Sequence, residues 1–171
     1  MQRNGFKIST SEGMAYVEQD RAFMLQQISQ LMTEPMKAYL TQIEMENREG
    51  FVQDAYINIP AQKHVDRLIW YENFIKNNQT FVLIENCKNY RKAYLTYLMS
   101  GFDNSPLYDD EEKMMLTEYY STAYKYLIKT YPDSETTQWI NPYYDAIKQK
   151  QKAAAKDIFK KYVIKGLIYD L

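Results

Sequence analysis

Residues 81–101 read Phe81-Val82-Leu83-Ile84-Glu85-Asn86-Cys87-Lys88-Asn89-Tyr90-Arg91-Lys92-Ala93-Tyr94-Leu95-Thr96-Tyr97-Leu98-Met99-Ser100-Gly101. Leu83, Cys87, Tyr90, Tyr94 and Tyr97 recur at three- and four-residue steps, the spacing of one face of an α-helix. Gly101 supplies the stop. The opening Phe81-Val82-Leu83-Ile84 is the one run that could pass for a strand. A lone strand has no partner, so it is assigned to the helix.

The same stripe shows what the chain is built from. Seventeen tyrosines stand among 171 residues, with five glycines and five prolines. Few glycines and prolines favour long helices over a turn-rich β architecture. Tyrosine buries a large ring while its hydroxyl still needs a partner, so amphipathic seams with tyrosine edges at the surface are expected.

Working outward, Ser9 and Glu12 stand three apart as in a capping box, and a first helix is expected to run from there through Met14, Val17, Met24, Ile28 and Leu31. Thr33-Glu34-Pro35 restarts the chain, because proline is tolerated in a first turn. Met36, Leu40 and Ile43 form the next seam, with a kink or break near residues 47–50 before it resumes at Phe51, Val52 and Ala55. Asn58-Ile59-Pro60 opens a helix carrying Val65, Leu68, Ile69 and Ile75, which closes at residues 77–80.

After a loop at 102–108, Asp109 and Glu112 offer a second capping-box start for a helix carrying Leu116, Tyr120, Ala123 and Leu127 to Tyr131-Pro132. A short helix over Ser134–Ile140 follows. Asn141-Pro142 then begins the last helix, through Ile147, Ala154 and Ile158 to the apolar tail. The sum is an all-α chain, an irregular antiparallel bundle of about six or seven helices forming one domain over 1–171. Residues 124–134 resemble the helix-ending segment of tetratricopeptide-like repeats. That stretch is roughly a fifteenth of the chain and lacks the small-residue pattern that precedes it in those repeats.

Composition excludes several classes. No apolar run is long enough to cross a bilayer. With 21 Lys+Arg against 22 Asp+Glu, the chain lacks the cationic surplus that nucleic-acid binding needs. The start lacks the apolar core of a secretory leader, so a cytoplasmic protein is expected, or a periplasmic or secreted one if a leader has been removed. Cys87 is the single cysteine and forms no internal disulfide.

Candidate chemistry is sparse. His64 is the one histidine, which excludes two-histidine metal sites, and a solvent-facing first-turn position of no structural consequence is expected. Cys87 is expected in the core, because no activating base accompanies it. Asp103 and Asp109–Glu112 lack the spacing of a calcium loop, and residues 109–112 are read as complementing a helix dipole. No catalytic residue, cofactor or metal ligand is assigned.

The sharpest charge pattern is Lys148, Lys152, Lys156 and Lys160, four-step neighbours on one expected helix flank. Like charges at that spacing cost helix stability, so the flank is either a solvated face or a docking surface for an acidic partner. The acidic and basic patches allow two pairings, one within the fold and one between copies in a homodimer. The expected function is a non-enzymatic protein-interaction module of adaptor, scaffold or immunity type. Its rival is a bundle that binds an apolar or aromatic small molecule among Met14, Met24, Met36, Tyr90, Tyr94 and Tyr120.

Overall fold

The computed structural model describes residues 5–11 and 13–170. The chain is 62% helical, with seven α-helices among the described residues plus small antiparallel strand pairs. It is mostly α rather than purely all-α. Two compact units make it up, residues 1–50 and 51–171.

The first unit opens with a hairpin where a helix was expected. Strands β1 (Phe6–Ser11) and β2 (Met14–Gln19) pair antiparallel, with Ile8 opposite Val17 and Lys7 opposite Glu18. Cross-strand partners replace the cap: Ser9 Oγ donates to Glu18, and Lys7 Nζ lies 3.1 Å from the same carboxylate. Glu12, half of the expected capping box, lies outside the described residues, as do residues 1–4. Met14 and Val17, three apart, point to opposite faces of a strand, so the step that suggested a helix is met here with period two. The first helix, α1 (Arg21–Ile28), starts at Asp20, whose carboxylate accepts from the Phe23 N–H at 3.2 Å. A 3₁₀ turn (Ser29–Leu31) follows. Helix α2 (Glu34–Glu49) carries Pro35 in its first turn as expected and buries Tyr39, Gln42, Ile43 and Glu46 along one stripe.

The second unit begins where α2 is terminated rather than kinked. Gly50, at φ 73°, closes α2, and residues 51–55 belong to a hairpin of β3 (Val52–Gln53) and β4 (Tyr56–Ile57) instead of a resumed helix. Helix α3 (Ala61–Asn77) follows Pro60, and α4 (Ile84–Ser100) carries the stripe quoted at the outset. Residues 81–83 form a turn ahead of α4, neither strand nor helix. Helices α3 and α4 run antiparallel: His64 meets Tyr94, and Glu72 meets Arg91. Gly101 ends α4 at φ 77°, where a Cβ would stand 2.6 Å from the Leu107 nitrogen, so only glycine fits.

Residues 101–116 form two further hairpins, β5 (Gly101–Phe102) with β6 (Ser105–Pro106) and β7 (Tyr108–Asp110) with β8 (Met115–Leu116). The helix expected to start at Asp109 begins instead at Glu118, as α5 (Glu118–Thr130). Asp109–Glu112 therefore open no helix of their own. Helix α6 (Glu135–Lys148) runs unbroken through Pro142, where two helices were expected. Pro142 and Gln138 are both exposed, so the proline sits on the solvent-facing side of α6, where a missing helical donor costs least. The break comes later. Lys150 adopts φ 57°, the Gln151 N–H reaches the Ala146 carbonyl at 2.8 Å, and α7 (Lys152–Ile164) starts anew. This is a Schellman closure built without glycine.

Buried tyrosines bind the second unit together. Tyr124 OH donates to the Leu98 carbonyl at 2.8 Å and Tyr143 OH to the Met99 carbonyl at 2.9 Å. Both carbonyls belong to the last turn of α4, where no intrahelical donor remains. Tyr120 OH donates to Ser105 O at 3.0 Å, and Tyr162 OH to Trp139 O at 2.9 Å. Opposite them, the Glu72 carboxylate accepts from the Glu135 and Thr136 N–H groups at 2.8 and 2.9 Å, the orphan donors that open α6.

His64 overturns the solvent-facing expectation: it is 0% exposed. Its Nε2 lies 2.9 Å from the Tyr94 carbonyl and Nδ1 lies 3.2 Å from Tyr119 OH. A carbonyl can only accept, so Nε2 carries the proton and the neutral ring takes the Tyr119 hydroxyl at Nδ1. Burial, with Arg67 nearby, pushes the imidazole down to about 4. Cys87 is buried as expected, and burial pushes its thiol up to about 11.

Two outcomes follow from these contacts. Tyr124→Phe leaves the Leu98 carbonyl buried without its donor, and a denaturant titration is expected to show a loss of about 1–3 kcal/mol. A loss below about 0.5 kcal/mol would mean the hydroxyl is dispensable, as at ordinary surface positions. For His64, a folded value below the unfolded one means that the unfolded chain binds the extra proton. Its contribution is complete above about pH 6.5 and is lost as pH falls toward about 4, a difference on the order of 3 kcal/mol. Subtracting the pH profile of His64→Gln from the parent isolates this dependence from that of the carboxylates. Parallel profiles would show that His64 is not held neutral.

Candidate functional site

The four-step lysine pattern does not survive intact. Lys148 sits in the last turn of α6, ahead of the break, while Lys152, Lys156 and Lys160 belong to α7. Lys148 is engaged locally: Nζ lies 2.7 Å from Asp145 Oδ1 and 4.8 Å from the centre of the Tyr144 ring. The Asp145 carboxylate raises its pKa. It does not line the cleft described next.

Lys152, Lys156 and Lys160 line a cleft of about 370 Å³ whose walls include Tyr108, Met114, Tyr143, Ala155 and Phe159, with Glu111 and Asp170 also present. A neighbouring hollow of about 630 Å³ shares Tyr108, Glu111, Tyr143 and Phe159 and extends along β5 and β6. Three local features build the cleft. The β7–β8 turn brings Glu111 and Met114 forward, with Met114 at φ 51° and buried. Helix α6 presents Tyr143, and the Schellman break aims α7 so that Ala155 and Phe159 face inward while the lysines stand at the rim.

The turn is braced from within. Lys113 N–H and Nζ meet Asp110 at 3.0 and 2.7 Å, and Met114 N–H donates to the Glu111 carbonyl at 3.1 Å. Its acids then meet the basic flank. Lys152 Nζ lies 3.2 Å from Glu111 and 3.3 Å from Glu112. The acidic and basic patches thus pair within the fold, at the N-terminus of α7, where a lysine would otherwise face the positive end of the helix dipole. The two carboxylates raise the Lys152 pKa.

Lys156 and Lys160 form no ion pair among the described residues. Both are exposed, one helical turn apart, or about 6 Å along the axis. Beneath them, Tyr143 gives its proton to the Met99 carbonyl at 2.9 Å, with Tyr108 beside it in the cleft wall. Burial raises both phenols, so both stay neutral at physiological pH. The cleft therefore offers neutral phenols and cationic rim groups, with the carboxylates of Glu111 and Asp170 also in its lining.

Two other cavities contain cations engaged in ion pairs. In the first unit, a hollow of about 450 Å³ contains Lys7 paired with Glu18 and Arg48 with Glu44. Beside Trp139, one of about 410 Å³ contains Arg91, bonded to Glu72 and Glu135, and Lys88, bonded to Glu85. Of the residues proposed for an apolar ligand, Met14, Met24, Met36, Tyr90, Tyr94 and Tyr120, none lines the 370 Å³ cleft, and Tyr94 and Tyr120 are buried in the core. Among the described residues no group of three or more His, Cys, Asp or Glu could hold a metal ion, and no helix is long and apolar enough to cross a membrane.

Neither a protein-family model, nor a curated protein, nor a solved structure matches the chain. The walls of the cleft were hidden from sequence inspection because Tyr108, Met114, Tyr143 and Phe159 come from three separate elements. The one signal was the lysine spacing on α7.

Replacing Lys156 and Lys160 together with glutamine removes like-charge repulsion at four-residue spacing, so the melting temperature is expected to stay unchanged or rise slightly. A fall of more than a few degrees in a thermal scan would show that the two side chains are structural.

Proposed function

We propose that this chain is a non-enzymatic binding module that takes an acidic segment of a protein partner into the cleft between the β7–β8 turn and α7. The observation that carries this proposal is the pair Lys156 and Lys160: two exposed cations, without an ion pair among the described residues, one turn apart above a floor of Tyr143, Ala155 and Phe159. Carboxylates of the partner meet the lysines at the rim, and an apolar or aromatic side chain enters the cleft. A balanced overall charge favours such a local match over broad attraction to polyanions.

A second function, binding an apolar or aromatic small molecule, is favoured by one observation: the cleft volume falls within the range of ligand pockets and its walls are mainly aromatic and apolar. The two differ in their dependence on charge.

The test is a fluorescence titration with a labelled glutamate–tyrosine copolymer at low and high ionic strength. Each rim contact is worth about 0.5–1 kcal/mol, so Lys156→Gln with Lys160→Gln is expected to weaken binding about tenfold and to flatten its salt dependence. Lys148→Gln is expected to bind like the parent. Equal affinities of parent and double variant under both conditions would overturn the acidic-segment assignment. Retained binding of a neutral aromatic probe in that double variant would favour the small-molecule function.

A further inference from the structure

The cleft already holds acidic groups of its own. Glu111 and Glu112 project from the braced β7–β8 turn onto Lys152, the first residue of the α7 lysine row. Three facts make this contact exchangeable rather than structural. The Glu112 side chain is 90% exposed and that of Lys152 is 50% exposed, so water reaches the pair. The turn is held by Asp110–Lys113 and by buried Met114, independently of Lys152. An exposed ion pair contributes a fraction of a kilocalorie, which an incoming carboxylate matches. Lys152, Lys156 and Lys160 lie at equal steps along α7, so the own acids occupy one end of the row that a partner's acids would extend.

We propose that the β7–β8 turn acts as an internal acidic ligand, occupying Lys152 so that an acidic partner segment binds in competition with Glu111 and Glu112. This rests on the function proposed above and concerns how that same site is regulated. With the turn in place, a partner meets only two open lysines. When the turn's charge is removed, Lys152 becomes the third, and affinity and salt dependence both rise. A partner with a longer acidic run gains most from displacing the turn, so the contact discriminates among acidic segments by length.

The experiment is a double-mutant cycle on the full chain, read with the same labelled glutamate–tyrosine copolymer. Glu111→Gln with Glu112→Gln is expected to tighten binding about two- to fivefold and to steepen its salt dependence. Lys152→Gln alone is expected to weaken binding less than Lys156→Gln with Lys160→Gln does, because in the parent that lysine is shared with the turn's own acids. In the Lys152→Gln background the glutamate substitutions are expected to give no gain. A gain that persists without Lys152 would mean plain repulsion between the turn and the probe, and would overturn the proposal. So would no gain in the parent background. Failure of the binding function itself shows separately, as parent and Lys156→Gln/Lys160→Gln proteins with equal affinity. All the substituted side chains are exposed, and matching far-ultraviolet circular dichroism spectra and melting temperatures keep the comparison to folded protein.

Discussion

The last turn of α4 ends in carbonyls that have no helical donor, and the second unit is organised around filling them. Tyrosines from α5 and α6 do so, Tyr124 at Leu98 and Tyr143 at Met99. Each brings a large ring into the core while its hydroxyl satisfies a backbone group that would otherwise be buried and unpaired. Two helices are thereby tied to one helix end. At the other end of the same unit the logic is inverted: the Glu72 carboxylate of α3 accepts from the free N–H groups that begin α6. Orphan donors and acceptors at helix ends thus define how α3 to α6 meet.

The cleft is a by-product of that arrangement. Tyr143 is placed by its bond to Met99, and with Tyr108 it lines the cleft between β7 and α7. Gly101 permits the close return of the chain that brings the β7–β8 turn to this side. The left-handed Lys150 ends α6 and redirects the chain into α7, which lays Phe159 and the lysine row along the other wall. The aromatic floor therefore inherits the rigidity of the core. The rim remains polar and exchangeable. For the function proposed above, a fixed apolar floor would orient a partner and exposed charges would adjust its rate and selectivity.

Residue type alone misjudged individual positions wherever the partner lay elsewhere in the chain. His64 was expected at the surface because nothing near it in sequence completes a site. Its partners, Tyr94 and Tyr119, lie 30 and 55 residues away. The expected start at Ser9 failed because its hydroxyl serves a cross-strand pair with Glu18 instead of a helix cap. The expected division at Asn141-Pro142 failed because proline is tolerated on the solvent-facing side of a helix, where a missing donor costs least. Asp109 and Glu112 carry the chemistry of a cap but stand on a hairpin, and the charge of Glu112 goes to Lys152 instead.

Local sequence alone determined the helices whose seams and stops agree: α2 from Pro35, α3 after Pro60, α4 to Gly101, and the body of α5 with Tyr120, Ala123 and Leu127. It also determined that Cys87 belongs inside and that α7 bears regularly spaced lysines. These follow from periodicity and from the backbone limits of proline and glycine, which act within a few residues. Tertiary structure alone decided which short segments pair as strands, where the left-handed Lys150 divides α6 from α7, and which lysines face a cleft. The hairpins and the left-handed turn close over a few residues, as in Phe102–Ser105 and Gln151–Ala146, while the cleft joins residues about fifty positions apart, from Tyr108 to Phe159. A two-residue strand or a non-glycine turn has too little local preference to declare itself before its partners arrive.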